Sequence, residues 1–482
     1  MLVGCQQDPR LDGEFTRLVR NVSRQDPASL GRPRVRRPRL LARAGWSRSS
    51  EVTAPPAPAQ SGARIAGVEG LRALAATSIL VYHCWLYSAP DGQRVDLGLL
   101  SRFALRHLPA GVLLFFTLSG FLLYRPLAAS VLRQAPRPSV RRYLRNRALR
   151  IFPAYLLVLL VVGVLLPAAI LGRSSAGSEL GRLTGDPGVL LAAAALMQNY
   201  FPRSMDTGIG PAWSLAVELV FYLILPLLGW MAAACTRHAT TPRNRTGAAL
   251  VPVAVVTAIG LSGSAIATYV VPPGSGAWHL GVVRSFWYHA DLFAFGMALA
   301  VLRVNLEDGR IRLPSWWRKA AAAGLVSVTI LTVLLTDRGR IPQYQGAVIY
   351  ELLVTSACAL LLALVVLPTT EAAPRPGLVR LLETRLFVAV GLASFSLFLW
   401  HEPVARWLQG HGWTMGGAGG FWINLLVLGA LSGLLSGLSY RYVERPALSR
   451  KTGRLRPGRV SSATRTPPSP QAAGSHRSDG HP

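Results

Sequence analysis

The chain has 482 residues, of which 51% are hydrophobic and only 15% charged, with a positive mean hydropathy of +0.35 and a net charge of +29. Such oiliness excludes a set of ordinary soluble domains. The arginines sit in tails and in short links between apolar runs, the pattern that orients a polytopic protein, so the charge argues against nucleic acid as a partner.

Residues 1–63 carry eleven arginines against five acids, in clusters such as RPRVRRPR beside the Pro/Ala stretch APPAPAQ. Too few apolar residues are grouped there to form a core, which predicts a disordered basic N-terminal tail. The opening LVGC mimics the end of a lipoprotein signal, but no long apolar segment precedes the cysteine, and that reading is set aside. Cys5, Cys84, Cys235 and Cys358 are scattered and match no metal spacing, so they read as small hydrophobes and no metal site is expected.

The first apolar run, RIAGVEGLRALAATSILVYHCWLY at 64–87, carries Arg72 near its start and His83 near its end. Eleven positions at 3.6 residues per turn are three turns plus about 20°, so both side chains leave the helix on nearly one face, about 16 Å apart. Ionisable groups within a bilayer span are costly and belong in a protein interior or a wet cavity. Further runs follow at about 110–128, 151–171, 187–200, 213–235, 248–271, 286–302, 320–336, 347–367, 386–408 and 421–440. Most are long enough to cross a bilayer, whereas 187–200 is short and ends in polar residues.

Loop charge decides the topology. If 187–200 does not cross, the links 131–150, 236–247, 303–319 and 368–385 hold 18 Lys plus Arg, against 9 in the alternate links. The positive-inside rule then makes the first set cytoplasmic, together with both basic tails. The expected fold is all-α: a polytopic transmembrane helix bundle of about ten crossings plus one partial or re-entrant segment. The integral membrane domain is expected at 64–446, followed by a disordered basic C-terminal tail at 447–482. The protein is thus expected to be integral to the cell membrane, multi-pass, with both termini cytoplasmic and the lipid bilayer as a partner.

In that topology the polar residues of the spans form two layers. Arg72, Arg147 and Arg150 lie near the cytoplasmic ends, and the latter two, at i and i+3, share a helix face that suits a phosphate. The competing account of Arg147 and Arg150 is an ordinary positive-inside flank. Nearer the outer surface are His83, then Ser214 and Glu218, then Asp291, then His401 and Glu402. Ser214, Glu218 and Tyr222 recur every four residues as one polar stripe. These groups either tie helices together or form a polar path, and imidazole can accept a proton near neutral pH. On this argument alone a proton-coupled transporter or flippase and an enzyme with its site in the membrane both fit. No internal inverted repeats with matched broken helices are visible, which weighs against the transporter.

Six motifs, in order, resemble those of the acyltransferase 3 family of bacterial membrane O-acyltransferases. Val68-Glu69-Gly70-Leu71-Arg72, with His83, is similar to the family's opening L-D-G-L-R helix and its arginine–histidine signature. FFTLSGFLLYRP at 115–126, RNRALRIFPAY at 145–155, PAWSLAVELVFYL at 211–223, SFSLFLWHEPV at 394–404 and YRYVERP at 440–446 resemble its later elements. The resemblance implies transfer of an acyl group, most often acetyl from acetyl-CoA, to a hydroxyl of a sugar, a cell-envelope glycan or a glycosylated natural product such as a macrolide. It implies no tightly bound cofactor, only an acyl-CoA co-substrate and a hydroxyl-bearing acceptor. Joined with the residue reading, it makes His83 the general base, with Glu218 or His401 orienting it or sharing the proton. Arg147, Arg150 and Arg72 would hold the CoA phosphates, and Trp213, Ser214, Tyr222 and Asp291 would support the site. Ser119 lacks the G-x-S-x-G elbow of a nucleophile, and Ser119-Gly120 reads as a close helix-packing site.

Overall fold

The computed structural model describes residues 64–88, 94–174, 177–237, 239–339, 348–368 and 376–450. The tails expected at 1–63 and 447–482 lie outside these residues, except for 447–450, where the short helix Arg445–Ser449 ends.

Ten long helices organise the described chain. They are α1 Val68–Tyr87, α2 Ala110–Leu132, α3 Val140–Leu160, α4 Ala212–Thr236 and α5 Pro242–Ala265, then α6 Phe286–Glu307, α7 Trp317–Asp337, α8 Val348–Val366, α9 Arg385–Gly410 and α10 Gly417–Ser439. Nine helices among the described residues are long and apolar enough to cross a membrane. The long helix outside that set is α1, whose apolar run is diluted by Glu69, Arg72 and His83 and which packs along α9. The outward faces are apolar, as lipid contact requires: Val326, Ile330 and Leu331 of α7 are exposed, as are Leu426 and Leu434 of α10. Exposed tryptophans cluster near helix ends, at Trp230, Trp316 and Trp413, where indoles favour the headgroup level.

The run 187–200 does not make a crossing helix. Asp186 caps Pro187–Ala194 through the backbone N–H groups of Gly188 and Val189, and this helix of 8 residues reaches only about 12 Å. Leu196, with φ 58°, turns the chain out of the helix, and Gln198–Tyr200 forms a single turn.

The run 151–171 is helical for less of its length than its hydropathy predicts. After α3 a wide turn, Val161–Leu165, gives way to extended backbone at Leu166, before Pro167, whose ring disfavours helix in the residue before it. A small antiparallel hairpin follows, β1 Ala169–Ser174 with β2 Gly177–Gly181. The hairpin is fastened to the loop before α4 by paired hydrogen bonds between Ile170 and Gly208, at 3.0 and 2.8 Å.

The centre of the bundle is the contact of α2 with α6. A Cβ at Gly120 would strike the Phe293 carbonyl and one at Gly296 would strike the Thr117 carbonyl, so hydrogen at these positions lets the backbones meet. The packing role expected for Ser119-Gly120 therefore holds for Gly120. Around this crossing Phe116, Phe293 and Phe221 stack, with ring centroids 4.9 and 4.2 Å apart.

Helix direction sorts the polar groups by depth. Arg72 near the start of α1, Arg147, Arg150 and Ile151 in the middle of α3, and Phe395 and Phe398 in the middle of α9 lie beside residues 112–123 of α2 and 214–222 of α4 around one cavity. The last turns of α1 lie beside the first turns of α2, α4, α6 and α8 around a second. α1 thus runs opposite to α2, α4, α6 and α8 and parallel to α9.

Candidate active site

The smaller cavity, about 90 Å³, is lined by Arg72, Arg147 and Arg150 together with Ser119, Ser214, Glu218 and Tyr222. Arg147 and Arg150 sit one turn apart on α3, whose start is fixed by Ser139 accepting a hydrogen bond from the Arg142 N–H at 3.4 Å. Arg72 Nε donates to Ser394 Oγ at 3.2 Å and stands 3.7 Å from Glu69 Oε2. Arg150 is tied to the buried carboxylate of Glu444, which also accepts from Ser396 Oγ at 3.0 Å. Arg147 lies with its guanidinium 5.7 Å from the Tyr222 ring centroid, and its Nε is buried without a hydrogen-bond partner among the described residues. The sequence grouping of these three arginines is reproduced in space, and Arg147 has the least complete set of partners.

Glu218 and Ser214 belong to this cavity, with Tyr222, and not to the layer of His83 expected from the sequence. Glu218 accepts a hydrogen bond from Ser119 Oγ, and Ser214 Oγ donates to the Pro211 carbonyl at 3.0 Å. The cause is depth along the helix: α4 runs from Trp213 toward the arginines, as loop charge predicts, and five residues at 1.5 Å carry Glu218 about 7 Å deeper. Asp291 lines neither cavity. It packs against α5, where a Cβ at Gly260 would collide with its backbone N–H and carboxylate.

The larger cavity measures about 510 Å³ and contains His83 and Glu402, with Trp213 on another wall. α1 and α9 run parallel, so as Arg72 meets Ser394 the later residue His83 meets His401, Nδ1 to Nε2 at 2.9 Å. His401 is fully buried, and its Nδ1 lies 3.1 Å from the Leu397 carbonyl. A carbonyl only accepts, so His401 Nδ1 carries the proton and its neutral ring offers the Nε2 lone pair to His83 Nδ1–H. The lone pair of neutral His83 is therefore on Nε2, 3.7 Å from Glu402 Oε2. Glu402 is held in turn by Arg406, one turn along α9, whose Nε and Nη2 reach Oε1 at 2.7 and 2.6 Å. The Tyr87 hydroxyl donates to the same oxygen at 3.1 Å, and the Arg406 guanidinium covers the Tyr87 ring at 4.6 Å. This arrangement can hold a proton on His83 Nε2 opposite a fixed carboxylate.

The short segment 198–211 braces the cavity. Asn199 Nδ2 donates to the Trp213 carbonyl at 2.8 Å and to the Arg284 carbonyl at 2.9 Å, joining the starts of α4 and α6. Gly210 lies against Glu402, and a Cβ there would overlap the carboxylate. Gly210→Ala is expected to push Glu402 away from His83 and to lower the activity of the site about 10- to 100-fold with helical content unchanged. Activity assays alongside circular dichroism check this; activity within twofold of native would show that the contact has no bearing on the reaction.

Sequence reasoning noted Glu402 but gave it no role, and it passed over Arg406, although an acid and a base at i and i+4 next to His401 are a local signal. Val112 and Phe398 line both cavities and form the boundary between them.

A membrane helix bundle that gathers three guanidinium groups in one cavity, and in its neighbour an imidazole–carboxylate cluster with Arg94, Arg106 and Arg284 on further walls, is built as a membrane-embedded enzyme. A family model described as an acyltransferase domain matches residues 65–441, and the chain belongs to this acyltransferase 3 family, whose members move groups other than aminoacyl groups. The chain is 26% identical over 411 residues to "Acyltransferase MdmB" of Streptomyces mycarofaciens, covering 82% of this chain and 94% of that relative. It is 25% identical over 404 residues to "Nodulation protein 10" of Rhizobium leguminosarum bv. viciae, covering 79% and 93%. It is also 25% identical over 399 residues to "Putative peptidoglycan O-acetyltransferase YrhL" of Bacillus subtilis, covering 79% of this chain and 54% of the relative. No solved structure matches the chain.

Proposed function

We propose that this membrane acyltransferase moves an acyl group, acetyl first among the candidates, from acyl-CoA to a hydroxyl of a carbohydrate, a cell-envelope glycan or a glycosylated natural product. The observation that carries this reading is the chain of hydrogen bonds from the Leu397 carbonyl through His401 to His83, which leaves the accepting lone pair on His83 Nε2. His83 Nε2 takes the proton of the acceptor hydroxyl as its oxygen attacks the acyl carbon. The O–C bond forms, the C–S bond breaks, and the leaving thiolate recovers the proton from the imidazolium. Glu402 stabilises that imidazolium across 3.7 Å. His401 is a positioning residue that sets the tautomer of His83. No enzyme nucleophile is required, because a thioester is already activated.

The arginine cavity is the entrance for the donor. Arg147 meets a CoA phosphate, Arg72 adds charge beside it, and Arg150 is oriented by Glu444. The acyl arm passes the Val112–Phe398 boundary to reach His83. The positive-inside rule puts the arginine end, and with it both termini, on the cytoplasmic side, where CoA is found.

Membranes or nanodiscs holding the full chain, supplied with radiolabelled acetyl-CoA and an acceptor panel, test this reading. Arg147→Ala is the cleaner donor variant, since Arg150→Ala would also strand Glu444. It is expected to raise KM for acetyl-CoA about tenfold, the loss of one charge-assisted hydrogen bond of about 1.5 kcal/mol, with a smaller effect on kcat. An unchanged KM would reduce Arg147 to a topology signal, and a native protein that never consumes acetyl-CoA would refute the donor assignment.

A further inference from the structure

The larger cavity contains a second imidazole–carboxylate pair that the reaction above does not use. His289, one turn into α6, places Nδ1 3.8 Å from Oε2 of Glu351 on α8. His289 is 1% exposed, and among the described residues its ring nitrogens have no side-chain hydrogen bond and reach only the Val283 backbone. Leaving a buried polar group so incompletely bonded costs about 1–3 kcal/mol. The ring is held in place by aromatic neighbours: Trp213 and Phe116 both have centroids 5.5 Å away, and Tyr288 meets it edge-on at 4.9 Å. Trp213 lines the same cavity and offers a flat apolar face beside the pair.

An imidazole and a carboxylate can together give and take hydrogen bonds, and an indole face suits an apolar ring surface. A sugar ring has both requirements, because its hydroxyls donate and accept while its C–H face is apolar. The cavity's volume of about 510 Å³ lies within the usual range for small-molecule sites. Resting on the acyl-transfer reading above, we propose that His289 and Glu351, with Trp213, form an acceptor subsite that binds a second hydroxyl of a sugar ring. This contact turns the reacting hydroxyl toward His83 Nε2. His289 is then a substrate-binding residue, and the enzyme selects polyhydroxylated rings over simple alcohols.

The test uses the full chain in nanodiscs with acetyl-CoA. The acceptors are the methyl glycosides of glucose, galactose, mannose and N-acetylglucosamine, the monodeoxy analogues of the best of these, and 1-butanol. At least one glycoside is expected to exceed 1-butanol by tenfold or more in kcat/KM. His289→Gln should erase about tenfold of that preference through KM, with transfer to 1-butanol and hydrolysis of acetyl-CoA within twofold of native. Glu351→Gln should act in the same direction. One deoxy analogue should lose as much with the native protein as its parent loses with His289→Gln, and should lose nothing further in the variant, a coupling that a purely structural role would not produce. A native protein that shows no preference for glycosides, or a His289→Gln protein that keeps it, overturns the subsite alone. Equal loss toward glycosides and 1-butanol overturns it too, by making His289 a general prop. No acetyl-CoA consumption with any acceptor overturns the underlying acyl-transfer reading, and the subsite falls with it.

Discussion

Replacing His83 with alanine is expected to lower acyl transfer by about two to four orders of magnitude, the usual contribution of a positioned general base. In the proposed reaction the side chain has two separable tasks: Nδ1 donates to His401, and Nε2 accepts from the substrate. Asparagine can reproduce the first through its amide nitrogen but has no basic atom for the second. His83→Asn should therefore be as impaired as His83→Ala while keeping α1 docked on α9. Single-turnover transfer from radiolabelled acetyl-CoA in nanodiscs, with size-exclusion profiles as the control for folding, measures both. Either variant retaining more than a tenth of native transfer would exclude proton abstraction by this imidazole.

The second large effect is expected at Glu402, where stability and chemistry are intertwined. Its carboxylate is 3% exposed and accepts from Arg406 and Tyr87. Glu402→Ala would leave the guanidinium of Arg406 buried without its carboxylate, a loss of about 3–5 kcal/mol, and would take the counter-charge from the His83 imidazolium. The two consequences can be separated. Removing both charges, as Glu402→Leu with Arg406→Leu, should recover most of the stability, because a buried ion pair is replaced by apolar side chains of similar volume. It should not restore transfer. Thermal unfolding in detergent and the transfer assay check the pair, and restored activity in the double variant would show that the carboxylate serves packing alone.

What was legible in the sequence depended on whether the information was local. The stripe joining Arg72 to His83 is a property of helical periodicity within 20 residues, and both side chains do face the interior, one in each cavity. Arg147 and Arg150 share a face for the same reason. Apolar run length separated 187–200 from the crossing helices, although it could not show that Asn199 would bind two helix starts together. Glu218 was misplaced although loop charge gives α4 its direction, because depth in the bundle depends on where a helix begins relative to its neighbours, which its hydrophobic pattern does not report. His289 and Glu351 are 62 positions apart on different helices. No local repeat connects them, so their meeting becomes visible only when α6 and α8 are packed.

The boundary at Val112 and Phe398 has a consequence for the membrane as well as for the substrate. Polar chambers at two depths would join into a continuous file of water if hydrophilic side chains stood between them, and such a file conducts protons and ions. An apolar constriction instead favours dewetting and interrupts conduction. The bundle can thus carry guanidinium groups and imidazoles inside the bilayer without short-circuiting the gradient across it.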